Sequence, residues 1–353
     1  MSARRAGVVG TGLIGGSIGL ALRRRGWHVT GDDRDPAVAA RALELGALDA
    51  VGTDPDAEVT FLATPVRAVA DAAKDALAST GGTVTDVGSV KGSIVDAVAD
   101  PRFIGGHPMA GSEQDGVDGA DADLFAGAVW VLTPTAATDD RALTSLRAVI
   151  AELGADVVSL APDHHDALVA VVSHVPHLTA AALMRMADDR ATEHRALLRL
   201  AAGGFRDMTR IASGSPGIWP DICAENRTAI VDVLDRLLAS LNEVRAIVAE
   251  DDRDGLLAVL ERARTARANL PSRVTSAADL SEVRIPVPDR AGVLAEVTTL
   301  AGTLDVNIAD LEIAHSSEGE QGVLILLVDA SSAERLRAAL GEHGYRPSVT
   351  PLE

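Results

Sequence analysis

A glycine-rich segment, GTGLIG at 10–15, constrains the fold of this chain more than any other feature. It stands between an apolar run typical of a buried strand, 6–10, and a longer apolar run typical of a helix, 13–25. A strand that turns into a helix through GxGxxG predicts a parallel α/β unit. The first domain is therefore predicted to be α/β.

Each glycine of this turn has a separate expected task. Gly10 permits the tight turn, Gly12 lets the backbone approach a pyrophosphate, and Gly15 allows close helix–strand packing. The helix N-terminus then faces the phosphates. We expect a Rossmann-like dinucleotide-binding domain in which the cofactor also meets Leu13 and Ile14.

The second strand, predicted at 28–33, ends in two acids about 20 residues after the turn, at the spacing of a ribose-binding carboxylate. Asp33 is the preferred candidate over Asp32, and its charge favours NAD. Arg34 could accept a 2'-phosphate, which leaves NADP open.

Further strands are predicted at 59–63, 83–87 and 103–105, with helical stretches at 66–78 and 90–99 between them. Ligands bind beyond the carboxyl ends of parallel strands. The expected site residues there are Thr64, Pro65, Ser89, Lys91 and His107.

His107 lies in GGHPMAGSE, where two glycines and a proline argue for a loop. A loop gives a histidine no core to fill, so we expect a functional ring. Ser89 has an alternative reading as the cap of a helix that starts at Val90.

The middle of the chain is predicted to be all-helical, with helices at 163–188, 192–202, 217–250 and 252–269. Its histidines lack a metal-ligand spacing, so no metal site is expected. In GGFRDMTRIASGSPGIW, Arg206 and Arg210 are four residues apart and could share a helix face. They could form an ordinary solvated basic face, but an arginine beside a cleft is suited to bind a carboxylate with two parallel hydrogen bonds. We expect a carboxylic acid substrate in the cleft between this domain and the first.

The C-terminal pattern changes to β-α-β-β-α-β between 283 and 350, which predicts an α+β ferredoxin-like domain. The segment VPDRAGVLAEVTTLAGTLDVNIADLEI resembles an ACT domain, a family whose members often bind free amino acids. That resemblance implies an effector or dimer interface at Asp289, Gly292, Asn307 and Ile308.

The net charge of −19 argues against nucleic-acid binding, and a single cysteine excludes an internal disulfide. The basic, apolar N-terminus has no small-residue cleavage site, and no membrane-spanning segment is expected. These features favour a cytoplasmic protein.

Five ordered motifs resemble the prephenate/arogenate dehydrogenases of tyrosine biosynthesis: GTGLIGGSIGLAL, DVGSVKG, GGHPMAGSE, VVSHVPHL and GGFRDMTRIASGSPGIW. The resemblance covers nearly the whole chain. It implies an NAD-dependent oxidative decarboxylation of prephenate to 4-hydroxyphenylpyruvate, a tyrosine effector, and a homodimer formed through the helical domain, where LTAAALMRMA (178–187) is apolar. The implied domains are 1–161, 162–271 and 282–353.

The same resemblance implies the catalytic roles. His107 would accept the proton of the ring hydroxyl, Ser89 would hydrogen-bond in the same place, and Arg210 would bind a substrate carboxylate. Further pocket or gating positions would be Glu113, His177, Asp207 and Trp219.

Three alternatives stay open. Arogenate, whose side chain ends in an amino acid, could be the substrate, because Glu113 and Asp207 could face its ammonium group. A regulatory protein that has lost catalysis would not need His107, Ser89 and Arg210 together. A 3-hydroxyacid dehydrogenase would require a lysine in the helical domain, which has none.

Overall fold

The computed structural model of the protein describes residues 3–112, 114–191, 200–269, 280–288, 292–304, 306–315 and 321–351. The chain divides into two compact units, 1–256 and 257–353.

The first unit is built on an eight-stranded sheet in the order β3-β2-β1-β4-β5-β6-β7-β8. Neighbouring strands are parallel except β6 and β7. The strands are β1 Arg5–Val9, β2 His28–Asp32, β3 Ala50–Val51, β4 Val59–Leu62, β5 Thr83–Asp86, β6 Phe103–Pro108, β7 Val129–Thr133 and β8 Asp156–Ser159. The helices beside them are α1 Leu13–Arg24, α2 Pro36–Glu44, α3 Val66–Ser79, α4 Gly92–Ala97 and α5 Asp140–Glu152.

This sheet confirms the predicted Rossmann-like fold and places its ligand crevice. The strand order reverses between β1 and β4, and the crevice beyond the carboxyl ends of these two strands is where such folds bind ligands. Two clusters of buried side chains hold the helices against the sheet, one with Ile18 of α1 and Phe61 of β4, the other with Val69 of α3 and Leu62 of β4.

The second half of this unit is helical. It comprises α6 Pro162–Val169, a π-helical turn Ala170–His174, α7 Val175–Ala191, α8 Gly203–Thr209, the 3₁₀ turns Arg210–Ser213 and Pro216–Ile218, α9 Trp219–Glu225, and α10 Arg227–Ala249. Helix α11, Arg253–Ala268, follows across the boundary between the units.

Three helix predictions need correction or lie outside the structure. The helix expected at 163–188 contains the π turn, and the helix expected at 217–250 is broken at Asn226, whose φ of −108° and ψ of 27° leave the helical region. The side chain of Asn226 bonds buried groups instead, as described below. Of the helix expected at 192–202, residues 192–199 lie outside the described residues and 201–202 are not helical.

The helical run Pro162–Arg190 is long and apolar enough, by length and composition, to cross a membrane. The core helix of a soluble protein meets the same criterion, so the sequence prediction of no membrane-spanning segment stays a prediction. The run holds Ser173, Pro176 and several histidines, and His174 within it is buried against other parts of the unit.

The second unit contains β9 Leu280–Pro288, α12 Val293–Thr303, β10 Ile308–His315, β11 Gln321–Asp329, α13 Ala330–Glu342 and β12 Ser348–Pro351. Its antiparallel strands lie in the order β10-β11-β9-β12, the arrangement of a ferredoxin-like fold. Alternate residues of β9, including Val283 and Ile285, pack against Val297 and Leu336 of the helices. The predicted β-α-β-β-α-β order is confirmed.

Candidate active site

The glycine turn after β1 shows why each glycine is needed. Gly10 has φ +86°, and a Cβ atom there would lie 2.5 Å from the carbonyl oxygen of Ala63. A Cβ atom at Gly15 would overlap the carbonyl oxygen of Gly10. A Cβ atom at Gly12 would meet nothing within 4 Å, so the space beside this residue is open to a ligand.

That open space belongs to a cleft of about 680 Å³ between the sheet and the helices. The cleft brings together most of the site residues predicted from the sequence: Gly12, Leu13, Ile14, Thr64, Pro65, Ser89, His107, His177 and Trp219. The hydroxyl oxygen of Thr64 is buried without a hydrogen-bond partner among the described residues, which leaves it available to a bound molecule.

Asp33 follows β2 and stabilises the glycine turn through a hydrogen bond. Its Oδ2 accepts a hydrogen bond of 2.8 Å from the backbone amide of Thr11, and its Oδ1 accepts one of 3.0 Å from Asp35. Its carboxylate therefore lies directly beside the turn that is expected to hold the pyrophosphate.

His107 is not in a loop: it lies in strand β6 and is 8% exposed. The loop prediction was wrong because the flanking glycines serve packing. A Cβ atom at Gly106 would lie 2.6 Å from the carbonyl oxygen of Asp86, and one at Gly105 would overlap Thr133. Because these two positions carry no side chain, β6 can pack closely against β5 and β7 while the imidazole of His107 lies at the cleft.

The cap interpretation of Ser89 is wrong as well. Helix α4 begins at Gly92, and the carboxylate of Asp166 accepts the backbone amides of Lys91 and Gly92, each at 2.8 Å. Ser89 is half-buried and lines the cleft.

Lys91 lies beneath the site rather than in it. Its ammonium group is fully buried, pairs with Asp86, and donates a hydrogen bond of 2.8 Å to the carbonyl oxygen of Gly106. Asp86 in turn accepts the backbone amides of Gly88 at 2.8 Å and Gly106 at 3.0 Å. The pair ties the loop that holds Ser89 to the strand that holds His107.

A chain of buried side chains continues behind His107. Its Nδ1 lies 2.8 Å from Nε2 of His165, and Nδ1 of His165 lies 2.8 Å from Oδ1 of Asp166. Burial raises the pKa of Asp166, but its hydrogen bonds from His165, Gly92 and Lys91 outweigh this and the net shift is downward.

The electrostatics keep His107 neutral. Burial, and then the nearby His165, Lys91 and His174, hold the pKa of His107 well below its ordinary value. A neutral imidazole at the cleft is able to accept a proton.

On the helical side, the indole of Trp219 stacks on the ring of His177, with 3.7 Å between ring centroids. The ring of His174 meets that of Trp219 edge-on, with 6.1 Å between ring centroids. Nδ1 of His174 accepts a hydrogen bond of 3.2 Å from the side-chain amide of Asn226, which also donates to the carbonyl oxygen of Asp166. Asn226 thus connects α6, the π turn and α10.

Two residues predicted to face the substrate, Asp207 and Arg210, are not among those that line the cleft. Asp207 and Arg210 are exposed, although Ile211 beside Arg210 lines the cleft. Glu113 and Asp289 lie outside the described residues. In the second unit, Gly292 precedes α12 with φ +94°, whereas Asn307 and Ile308 stand at the start of β10.

Sequence reasoning missed the polar network behind His107, formed by Asp86, His165, Asp166, His174 and Asn226. A signal was present, because HHD and SH interrupt an apolar helix. These polar residues were interpreted only as possible metal ligands. Within the described ranges, no group of three or more His, Cys, Asp and Glu side chains is arranged to hold a metal ion.

Comparisons with known proteins agree with this geometry. Residues 18–159 match the family model of the prephenate dehydrogenase nucleotide-binding domain, and residues 161–262 match that of the prephenate dehydrogenase dimerization domain. A prephenate dehydrogenase of Bacillus subtilis is 35% identical over 90% of this chain and 90% of its own length.

Two solved structures are similar as well. One is the prephenate dehydrogenase of A. aeolicus in complex with hydroxyphenyl propionate and NAD+, at 33% identity and a TM-score of 0.71 over 76% of this chain and 98% of that one. The other is an arogenate dehydrogenase of Synechocystis, at 32% identity and a TM-score of 0.64 over 75% of this chain and 99% of that one.

Proposed function

The chain belongs to the prephenate dehydrogenase family, and from this premise we propose that it converts prephenate to 4-hydroxyphenylpyruvate with His107 as the proton acceptor. The enzyme is an NAD-dependent oxidoreductase. The observation that supports the role of His107 best is its buried, neutral ring at the cleft, between the glycine turn and the helices.

The residues of the cleft and of the glycine turn beside it fit NAD. A pyrophosphate would fit the open space beside Gly12, near the N-terminus of α1 and the hydroxyl of Thr64, which has no hydrogen-bond partner among the described residues. The carboxylate of Asp33 suits a ribose hydroxyl. NAD, when bound, takes up the hydride that leaves the ring carbon.

His107 acts on the hydroxyl of that carbon. As the hydride leaves, the hydroxyl becomes acidic and the imidazole accepts its proton. The ring carboxylate departs as carbon dioxide, and its bonding electrons make the ring aromatic. The oxygen then takes the proton back as a phenol, so His107 is neutral again for the next cycle.

The remaining roles follow from position. Ser89 lines the cleft with His107 and would hydrogen-bond the same hydroxyl. The stacked rings of His177 and Trp219 form an opposite wall that suits a flat ring. Arg210 would bind a substrate carboxylate, with Glu113 and Asp207 as further polar positions near the substrate.

Arogenate is the second candidate, because two carboxylates, Asp115 and Asp221, line the cleft. Asp221 pairs with Arg67 at 3.1 Å, which leaves Asp115 better suited to meet a substrate ammonium. The resemblance to an arogenate dehydrogenase of Synechocystis is consistent with this candidate.

We also propose a soluble, cytoplasmic homodimer with the domains 1–161, 162–271 and 282–353. Exposed apolar side chains on the helices, including Val172, Leu238 and Leu241, suit an interface. The C-terminal domain would bind tyrosine near Asp289, Gly292, Asn307 and Ile308 as an ACT domain.

The test is NAD reduction with prephenate and arogenate in parallel, with and without tyrosine. We expect turnover with prephenate and its loss in His107→Asn, with NAD affinity retained. Full turnover by His107→Asn would refute the role of His107, and a higher kcat/KM with arogenate would reverse the substrate assignment.

A further inference from the structure

His165 and Asp166 form a buried pair behind His107 that the reaction described above does not use. His165 is fully buried and Asp166 is 9% exposed. Neither residue is among those that line the cleft. Burial of a carboxylate and a second imidazole costs free energy of folding unless both groups are hydrogen-bonded.

The donors and acceptors around Asp166 determine where the hydrogens lie. Both oxygens of Asp166 accept backbone amides, from Lys91 and Gly92, so the group is an acceptor. Nδ1 of His165 must then carry the hydrogen that points at Asp166. In a neutral His165, Nε2 is left with a lone pair.

The same reasoning reaches His107. Because Nε2 of His165 accepts, Nδ1 of His107 must donate across the 2.8 Å contact between them. The hydrogen on Nδ1 leaves the lone pair of His107 on Nε2. Its Nδ1 points into the protein, so Nε2 is the nitrogen available to a molecule in the cleft.

The pair also fixes the orientation of the ring. The two imidazoles are nearly perpendicular, at 75°, and Asp166 is anchored by the amides at the start of α4. His107 on β6 is thereby linked to α6 and to the loop that holds Ser89.

We propose that His165 and Asp166 are positioning residues, which hold His107 in the Nδ1–H tautomer with its Nε2 lone pair directed at the substrate hydroxyl. The inference rests on the proposed role of His107.

The first test is kinetic. His165→Phe keeps an aromatic ring but removes both hydrogen bonds, and we expect kcat to fall about 100-fold, the lower end of what a general base contributes, with KM for NAD unchanged. His165→Gln has an amide oxygen for His107 and an amide N–H for Asp166, so it should recover most of kcat. The matched control is His164→Gln, since His164 is the exposed neighbour on the same helix and its change should have no effect.

The second test reads the tautomer directly, by ¹⁵N NMR of protein labelled at histidine, with the His107 signals assigned by their loss in His107→Asn. We expect the Nδ1–H tautomer in the unmodified protein and a mixture or the Nε2–H tautomer in His165→Phe. An Nε2–H tautomer in the unmodified protein overturns the proposal, and this result stands even if His165→Phe fails to fold.

The outcomes separate this proposal from the proposed function. Unchanged Nδ1–H tautomer in His165→Phe overturns the positioning role whatever happens to kcat. If instead His107→Asn retains turnover, the role of His107 itself fails.

Discussion

His174 should make the protein lose stability in mild acid. It is 1% exposed, and its Nδ1 accepts a hydrogen bond from Asn226, so a proton there would face a donor. Burial lowers the pKa of His174 from 6.5 to about 4, with Asp166 opposing and His165 reinforcing the shift.

The sign follows from proton uptake. Below pH 6.5 the unfolded chain binds a proton at this residue that the folded protein does not bind until about pH 4, so the free energy of unfolding decreases as pH falls through this window. For these two pKa values the loss between pH 7 and pH 5 is roughly 2 kcal/mol. His107, whose pKa is also depressed, adds a loss of the same sign.

The assay is urea unfolding at pH 7 and pH 5 of the unmodified protein and of His174→Asn, whose amide oxygen still accepts from Asn226. His107 titrates in both proteins, so we expect the variant to lose roughly 2 kcal/mol less between the two pH values. His164→Asn, at an exposed position, should match the unmodified protein. Equal pH dependence of the unmodified protein and His174→Asn would refute this account.

Other changes should separate binding from stability. Gly12→Ala should raise the Kd for NAD by about 10- to 150-fold in calorimetry, the equivalent of one charge-assisted hydrogen bond, with little change in Tm, whereas Gly15→Ala should lower Tm because its Cβ overlaps the turn. Lys91→Met leaves a buried carboxylate unpaired and should cost roughly 3 to 5 kcal/mol in urea unfolding, while Lys74→Met, at an exposed position, should cost little. Asp33→Ala should raise KM for NAD about tenfold or more and KM for NADP much less, and equal effects on both cofactors would contradict its proposed contact with the ribose.

The alternation of apolar strands and helices was sufficient to predict the Rossmann-like part of the first unit, strands β1, β2, β4, β5 and β6 with helices α1, α3 and α4, and the order of elements in the second unit. The two edge strands, β3 and β8, and the inner strand β7 were not predicted. The two-residue strand β3 is too short for a periodicity signal, and β8 is largely exposed, so it lacks a buried run.

The site could be predicted for residues that directly follow a parallel strand or end one. The carboxyl ends of parallel strands meet at one edge, so Thr64, Ser89 and His107 could be placed in one cleft. The strand conformation of His107 could not be predicted, because the sequence pattern of glycines that permit close strand packing is the same as that of glycines in a loop.

The network behind His107 depends on contacts between distant segments. The pairing of Asp166 with the amides of Lys91 and Gly92 spans about 75 residues of sequence, and no local pattern indicates it. Asn226 likewise interrupts a helix that local propensity favours, because its amide satisfies buried acceptors on α6 and the π turn.

The π turn Ala170–His174 sets the angular phase between two parts of one helical run. An α-helix turns by about 100° per residue, so removing one residue here would rotate α7 by that angle relative to α6. His165 would keep its place against His107, whereas His177 would leave Trp219 and the cleft. The length of this turn thus couples the side of the cleft that holds His107 to the side formed by His177 and Trp219.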